Sequence, residues 1–316
     1  MSIPDKTKVT SHYIRKELLG KSTVTLFGVF LIILTMSLVF FIASQGLTTF
    51  IKDKQSPFQF LFSGKWDPER DISKGGPAVG ALVFIFGSIS ISTLALLIST
   101  PFSVAVSIFM SEISPKFGKK LLQPVIEIFV GIPSVVYGWV GLTVLVPLIS
   151  KLTLIVPFID KESNTTGKSL LTGGLVLSIM IFPTIASVSF DALKALPKDF
   201  KEASYALGAT RWQTIKKVLV PAALPGMLTG VVLGLARAFG EALAVQMVIG
   251  NNILFPKSLF DRANTMTSVI TMEMGNAVKG SLESNALWSL AFLLLLISFL
   301  FIVIIHKIGA KGSFVK

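Results

Sequence analysis

Residues 234–251 read GLARAFGEALAVQMVIGN, an apolar stretch of helix length that nevertheless carries Arg237 and Glu241 four positions apart. Read outward, it belongs to a run from Ala222 to Gly250 in which these two are the only charged residues. A helix needs about 20 mostly apolar residues to cross a hydrocarbon layer roughly 30 Å thick, so the run can span with its charges included. Five further runs reach that length: Ser22–Ala43, Pro77–Ser111, Leu121–Ser150, Ser169–Phe190 and Asn285–Ile305, the third of them holding Glu127. The 316-residue chain is 52% hydrophobic and only 15% charged, with a mean hydropathy of +0.75, beyond what a water-soluble domain tolerates. The sequence predicts an all-α integral membrane protein with six transmembrane helices.

Lysine and arginine gather on one side of these spans. The N-terminal segment, the second-to-third and fourth-to-fifth connections and the tail hold 17 of them against 6 acidic residues, whereas the other three connections hold 11 against 9. The net charges, +11 and +2, place both termini in the cytoplasm by the positive-inside rule. Topology thus absorbs most of the formal +12; membrane lipid is the implied surroundings and no nucleic-acid partner is called for. Residues 1–21 read as a cytoplasmic N-terminal segment, because the first run is too long and its flank too extended for a cleaved signal peptide. Residues 22–316 read as one transmembrane domain. The first outer loop, about 46–76, mixes aromatics with turn residues in FLFSGKWDPER, as a folded loop would. The stretch TMTSVITMEMGNAV, Thr265–Val278, is too short and too polar to span and reads as a re-entrant or interfacial helix. Pro101 and Pro183 should kink the second and fourth spans.

Several chemistries are excluded. Cysteine is absent, so no disulfide framework, thiolate zinc site or iron–sulfur cluster can form. His12 and His306 stand near opposite ends of the chain and make no metal site. LLGKST and TTGKSL mimic a phosphate-cradling loop, but the second glycine such a loop needs is replaced by Arg15 and Glu162.

The fourth-to-fifth connection, about 195–221, is more informative: ALPKDFKEASYALGATRWQTIKKVLVPAALPG. Pro197 suits the first turn of a short helix, Gly208 its C-terminal end, and Thr210 with Gln213 a capping box for a second helix that Pro221 closes. The order Glu202, Ala203, Ser204, Gly208 and then VLVP ending at Pro221 resembles the EAA loop of ATP-binding-cassette import permeases. Ser204 stands where that pattern has its second alanine, and Val218 and Val220 stand for isoleucine and leucine. EIFVGIPSVVYGWVGL in the third span, GEALAVQMVIGN and the sizeable first outer loop extend the likeness to phosphate permeases of the Pst type, on the PstC rather than the PstA side.

The resemblance implies a type I importer permease fold with a cytoplasmic coupling helix between the fourth and fifth spans, in a prokaryotic cytoplasmic membrane. It implies transport without an ATPase site or cofactor of this chain's own, ATP and magnesium being held by a partner ATPase homodimer. Glu202, Ala203, Gly208 and Arg211 would meet that ATPase. The other partners would be a PstA-like permease and an extracytoplasmic phosphate-binding protein, with inorganic phosphate as substrate. A permease for sulfate or molybdate, and a secondary anion transporter, are the alternatives.

On one continuous helix, Gly226, Gly230, Gly234, Arg237 and Glu241 fall within an arc of about 80°. Glycines four apart admit a neighbouring helix or a substrate close to the backbone, so the charged pair should point into the bundle. Near mid-span an arginine costs about 2.5–3.5 kcal/mol on translocon scales, which demands a function or a firm partner. Two roles fit: a guanidinium fork for a passing oxyanion, tempered by Glu241, or an i,i+4 salt bridge locking two helices. The family's functional arginine and glutamate fall on Arg237 and Glu241. Glu127 ranks behind them, because with all three ionised the path would carry a net negative charge.

Overall fold

The computed structural model describes residues 6–71, 73, 75–155 and 166–311. Residues 1–5 of the N-terminal segment, Glu162 of the second mimic loop and the tail 312–316 lie outside the described residues.

Helix α1 (Lys6–Gly46) already begins within the N-terminal segment and continues almost directly into α2 (Thr48–Ile51). Its apolar window lies wholly exposed in the isolated chain, as suits a helix whose solvent is hydrocarbon or another subunit. Its end is tied to α15 (Leu282–Lys311): a Cβ on Gly46 would lie 2.6 Å from Phe292 Cβ, and Ser289 Oγ donates to the Gly46 carbonyl at 2.6 Å. The described residues of the first outer loop are folded, with α3 (Pro57–Phe62) capped by Ser56 and the strand β1 (Trp66–Asp67) paired antiparallel with β2 (Ala78–Val79) just beyond it, Trp66 opposite Val79.

Helices α4 (Leu82–Ile108) and α9 (Leu170–Lys194) form the centre, with α12 (Val220–Gly240) against the other side of α9. Leu177, Ile181, Ile185 and Ala186 of α9 are fully buried. The face of α4 toward the interior is serine-rich, with Ser88, Ser92, Ser99, Ser103 and Ser107 all buried, since small side chains let helix backbones approach where no hydrophobic effect drives them together. Ser103 Oγ donates to the Phe182 carbonyl at 3.1 Å, next to Pro183.

Two predicted spans are interrupted. Beyond the single-turn α5 (Pro115–Phe117), the third run divides into α6 (Gln123–Gly131), α7 (Ser134–Val140), a wide turn and α8 (Val146–Ile155). Pro133 holds Ile132 in the extended region (ψ 128°), and the apolar span is Ser134–Thr153. The fifth run is not one helix either: α12 stops at Gly240, Glu241 is extended (φ −78°, ψ 121°), and α13 (Leu243–Val248) follows. Pro221 does not close a helix. Helix α11 (Arg211–Thr214) passes through a wide turn, Ile215–Leu219, into α12, so that helical backbone runs from Arg211 to Gly240. The stretch near Thr265 forms α14 (Met266–Glu273), its first turn buried against the bundle and capped by the Thr265 hydroxyl. Among the described residues six segments are long and apolar enough to cross a membrane.

The seam between α12 and α9 is made by glycine. A Cβ would meet Ala192 Cβ at 2.6 Å from Gly226, Val188 Cβ at 3.2 Å from Gly230 and Ile185 Cγ1 at 2.7 Å from Gly234. Of the two occupants that the spacing allows, the neighbouring helix is the one present. Gly234→Leu should therefore destabilise the chain by about 1–3 kcal/mol through overpacking, lowering the midpoint of thermal denaturation in detergent, while Gly20→Leu, at a position open on all sides, leaves it unmoved.

Candidate functional site

Arg237 lies in the last turn of α12, half-buried, and its Nη1 donates to Thr184 Oγ1 on α9 at 3.1 Å. The helix break decides the electrostatics. Ending α12 at Gly240 places the guanidinium near unpaired C-terminal carbonyls, where a cation is favoured. Beginning α13 just beyond lets Glu241 Oε1 accept from the Ala244 backbone N–H at 3.0 Å, the complementary position for an anion. Thr267 Oγ1 on α14 donates to the Glu241 carbonyl at 2.9 Å and so fixes the extended residue. Among the described residues no ion pair joins Arg237 to Glu241. The i,i+4 salt bridge is replaced by two helix ends and a threonine on each side, and the shared helical face stops short of Glu241.

The second interruption lies against the first. Gly138 on α7 approaches α13 so closely that a Cβ would lie 2.8 Å from Ala244 Cα. The neighbouring Tyr137 donates to the Phe129 carbonyl at 2.7 Å, bracing the Ile132–Pro133 break. Irregular backbone at membrane depth survives where protein or a water-filled cavity surrounds it, and such broken helices are where transporters build their ion and substrate sites. Glu127 stands apart from this group: it is exposed on α6 and accepts from Gln123 of its own helix at 2.9 Å.

The 195–221 connection forms the predicted pair of helices. Helix α10 (Asp199–Ala206) ends before Gly208, whose φ of +77° is a conformation in which glycine avoids Cβ strain. The Thr210–Gln213 capping box is present. Glu202, Ala203 and Gly208 are exposed, and Leu207 is 89% and Trp212 62% exposed, leaving an apolar tip. Arg211 is also turned inward to the fold: its guanidinium donates to the carbonyls of Glu112 and Ile113 in the wide turn, Phe109–Ile113, that follows α4. Lys201 Nζ pairs with the buried Glu112 carboxylate at 2.5 Å, and Ser204 and Thr214 share a buried hydrogen bond at 2.9 Å. The loop is thereby fastened to α4 at two points.

The family model described as "Binding-protein-dependent transport system inner membrane component" matches residues 103–311. The chain belongs to this family. It is 51% identical to a probable ABC transporter permease of Bacillus subtilis, YqgH, over 93% of this chain and 91% of that one. It is 34% identical to the phosphate transport system permease protein PstC of Haemophilus influenzae over 91% of each. Among solved structures, a bacterial alginate ABC transporter chain superposes with a TM-score of 0.63 at 14% identity, covering 96% of this chain and 98% of that one. A chain of the methionine transporter MetNI gives 0.54 at 18%, covering 72% and 94%. The permease therefore has the type I ABC importer fold, is a multi-pass inner membrane protein, and is a transport subunit without an ATPase site of its own.

The structure places around the two helix breaks residues that sequence reasoning passed over. Thr184 follows the singled-out Pro183, Tyr137 lies inside IPSVVYG and Thr267 inside the short polar helix, but nothing local tells which of them faces Arg237. Glu112 and Lys201 carried no signal, since their pairing spans 89 positions. Replacing Lys201 by Met together with Arg211 by Ala should release the loop from α4. Amide exchange in α10 should then accelerate about tenfold, the size expected for charged hydrogen bonds, as read by hydrogen–deuterium exchange, with α9 unchanged.

Proposed function

We propose that this chain is the PstC-type permease of an ATP-driven inorganic phosphate importer. It would form the translocation pathway with a PstA-like permease, receive phosphate from an extracytoplasmic binding protein, and meet an ATPase homodimer, which holds ATP and magnesium, at the loop from Glu202 to Pro221. The PstC name of relatives at about 34% identity supports the substrate. The single observation that carries the reading is Arg237, a half-buried guanidinium at a helix break whose recorded partner is a neutral hydroxyl rather than a carboxylate. Such a cation retains donors for a tetrahedral oxyanion in a fork that suits bidentate capture. Glu241, bound to the next helix end, sets a counter-charge nearby so that the anion can leave as well as enter. Membership of the family rules out a secondary transporter; sulfate and molybdate remain as competitors to be tested.

The cytoplasmic face follows from the positive end of the bundle, where the 195–217 stretch alone holds four lysines and an arginine beyond Lys194 in the connection that also displays Leu207 and Trp212. Alternating access then requires the two states to differ in affinity for ATP and for the loaded binding protein.

In vesicles reconstituted with the whole transporter, Arg237→Gln should reduce ATP-driven phosphate uptake about ten- to a hundredfold, the loss expected for charge-assisted hydrogen bonds to the anion, while the subunits still co-purify. Uptake at the parent rate, or a complex that falls apart, would count against an anion gate; stronger competition by sulfate or molybdate than by phosphate would reassign the substrate. Glu202→Lys or Gly208→Asp should lower the amount of ATPase that co-purifies, and unchanged recovery would refute the docking assignment.

A further inference from the structure

A cavity of about 290 Å³ opens beside the loop, between the end of α4, the start of α6, the end of α9 and the entry to α10. It lies close to the lower limit of small-molecule sites, about 300 Å³. Its polar wall comprises Lys119, Lys194, Lys198, Lys201, Gln123 and Glu112. Glu112 is already matched by Lys201 at 2.5 Å. Among the described residues the other three lysines have no salt bridge, and Lys194 lies over the Phe190 ring at 5.7 Å. Four cations against one carboxylate leave a surplus of three positive charges around a small volume. Phe190, Leu193 and Leu219 supply the apolar part of the lining.

We propose that this cavity binds a phosphate group, carried by an anionic phospholipid or present as free inorganic phosphate. The exposed Lys119, Lys194 and Lys198 around a half-open cavity favour an oxyanion with several acceptors, and basic pockets between transmembrane helices take lipid head groups. The apolar part of the lining suits the glycerol and first methylenes of a lipid; the charges alone suit the free ion. Lys119 precedes α6, whereas Lys194 and Lys198 flank the connection into α10. A bound phosphate would bridge these two pieces of chain, adding a third fastening to those made by Arg211 and Lys201. The site is separate from Arg237 and does not depend on which solute the permease carries.

The test compares the full transporter with its Lys119→Gln, Lys194→Gln, Lys198→Gln triple variant, so that any anion held at Arg237 contributes equally to both. In one arm native mass spectrometry follows phosphatidylglycerol binding, with phosphatidylcholine as reference; in the other, equilibrium dialysis measures radiolabelled inorganic phosphate in nanodiscs of phosphatidylcholine alone. The parent should show one site that the variant weakens by about tenfold or more, given that each nearby lysine contributes appreciably to anion attraction. Loss in the lipid arm identifies a head group, and loss in the phosphate arm a free ion. Glu112→Gln should shift affinity the other way, since it removes the one negative charge and frees Lys201. If the triple variant misfolds, the exposed Lys198→Gln alone replaces it and should weaken the site several-fold. Equal binding by parent and folded variant in both arms overturns the proposal.

Discussion

Because Gly226, Gly230 and Gly234 lack side chains, α12 lies on α9 at a distance that a Cβ at Gly226 or Gly234 would push apart and one at Gly230 would crowd, and the position of the guanidinium follows from that approach. Arg237 continues the same helix face, so the seam delivers it to Thr184 rather than to lipid. In hydrocarbon the gain comes from van der Waals contact and from satisfied polar groups, since lipid tails are as apolar as leucine. The glycine seam and the buried cation are therefore two parts of one arrangement. A wider helix separation would leave the arginine without its hydroxyl partner, and a costly charge would have to snorkel or move.

Proline shapes the same bundle in a second way. Wide, π-helical turns occupy 109–113, 118–122, 141–145 and 215–219, and a proline stands two residues after each, at Pro115, Pro124, Pro147 and Pro221. A proline ring clashes with the carbonyl four residues before it, and in all four cases that carbonyl belongs to the central residue of the wide turn. One extra residue per turn moves the offending oxygen aside while later hydrogen bonds continue. This explains why Pro221, which reads as a stop, lets the helix run on from Arg211 to Gly240.

What the sequence could and could not disclose follows from the range of each interaction. Apolar runs, the Thr210 capping box and the left-handed Gly208 depend on residues a few positions apart, and all can be read from the chain alone. The break at Pro133 was equally local, but a run judged by hydropathy conceals it. The break after Gly240 has no proline; it is held by Glu241 reaching Ala244 and by Thr267 from 26 residues away, so periodicity carried the helix straight through it and placed Glu241 on a face it does not share. The partners of Arg211 and Lys201 lie about 90 or more residues distant, and a single sequence contains no record of that proximity.

The continuity of the fifth span below Gly240 alters how motion could reach the site. With α11, the wide turn and α12 continuous, one helical rod of about 45 Å connects the Thr210 cap to the turn that carries Arg237. Its lower end is fastened to α4 through Arg211 and its upper half to α9 through the glycine seam. A push on the exposed loop tip would then rotate or translate the rod against α9 instead of being absorbed by a flexible linker. The glycine seam, smooth on one side, permits sliding; the single Arg237–Thr184 hydrogen bond is what such sliding would break first. Under the proposed docking, movement imposed at one end would thus free guanidinium donors at the other.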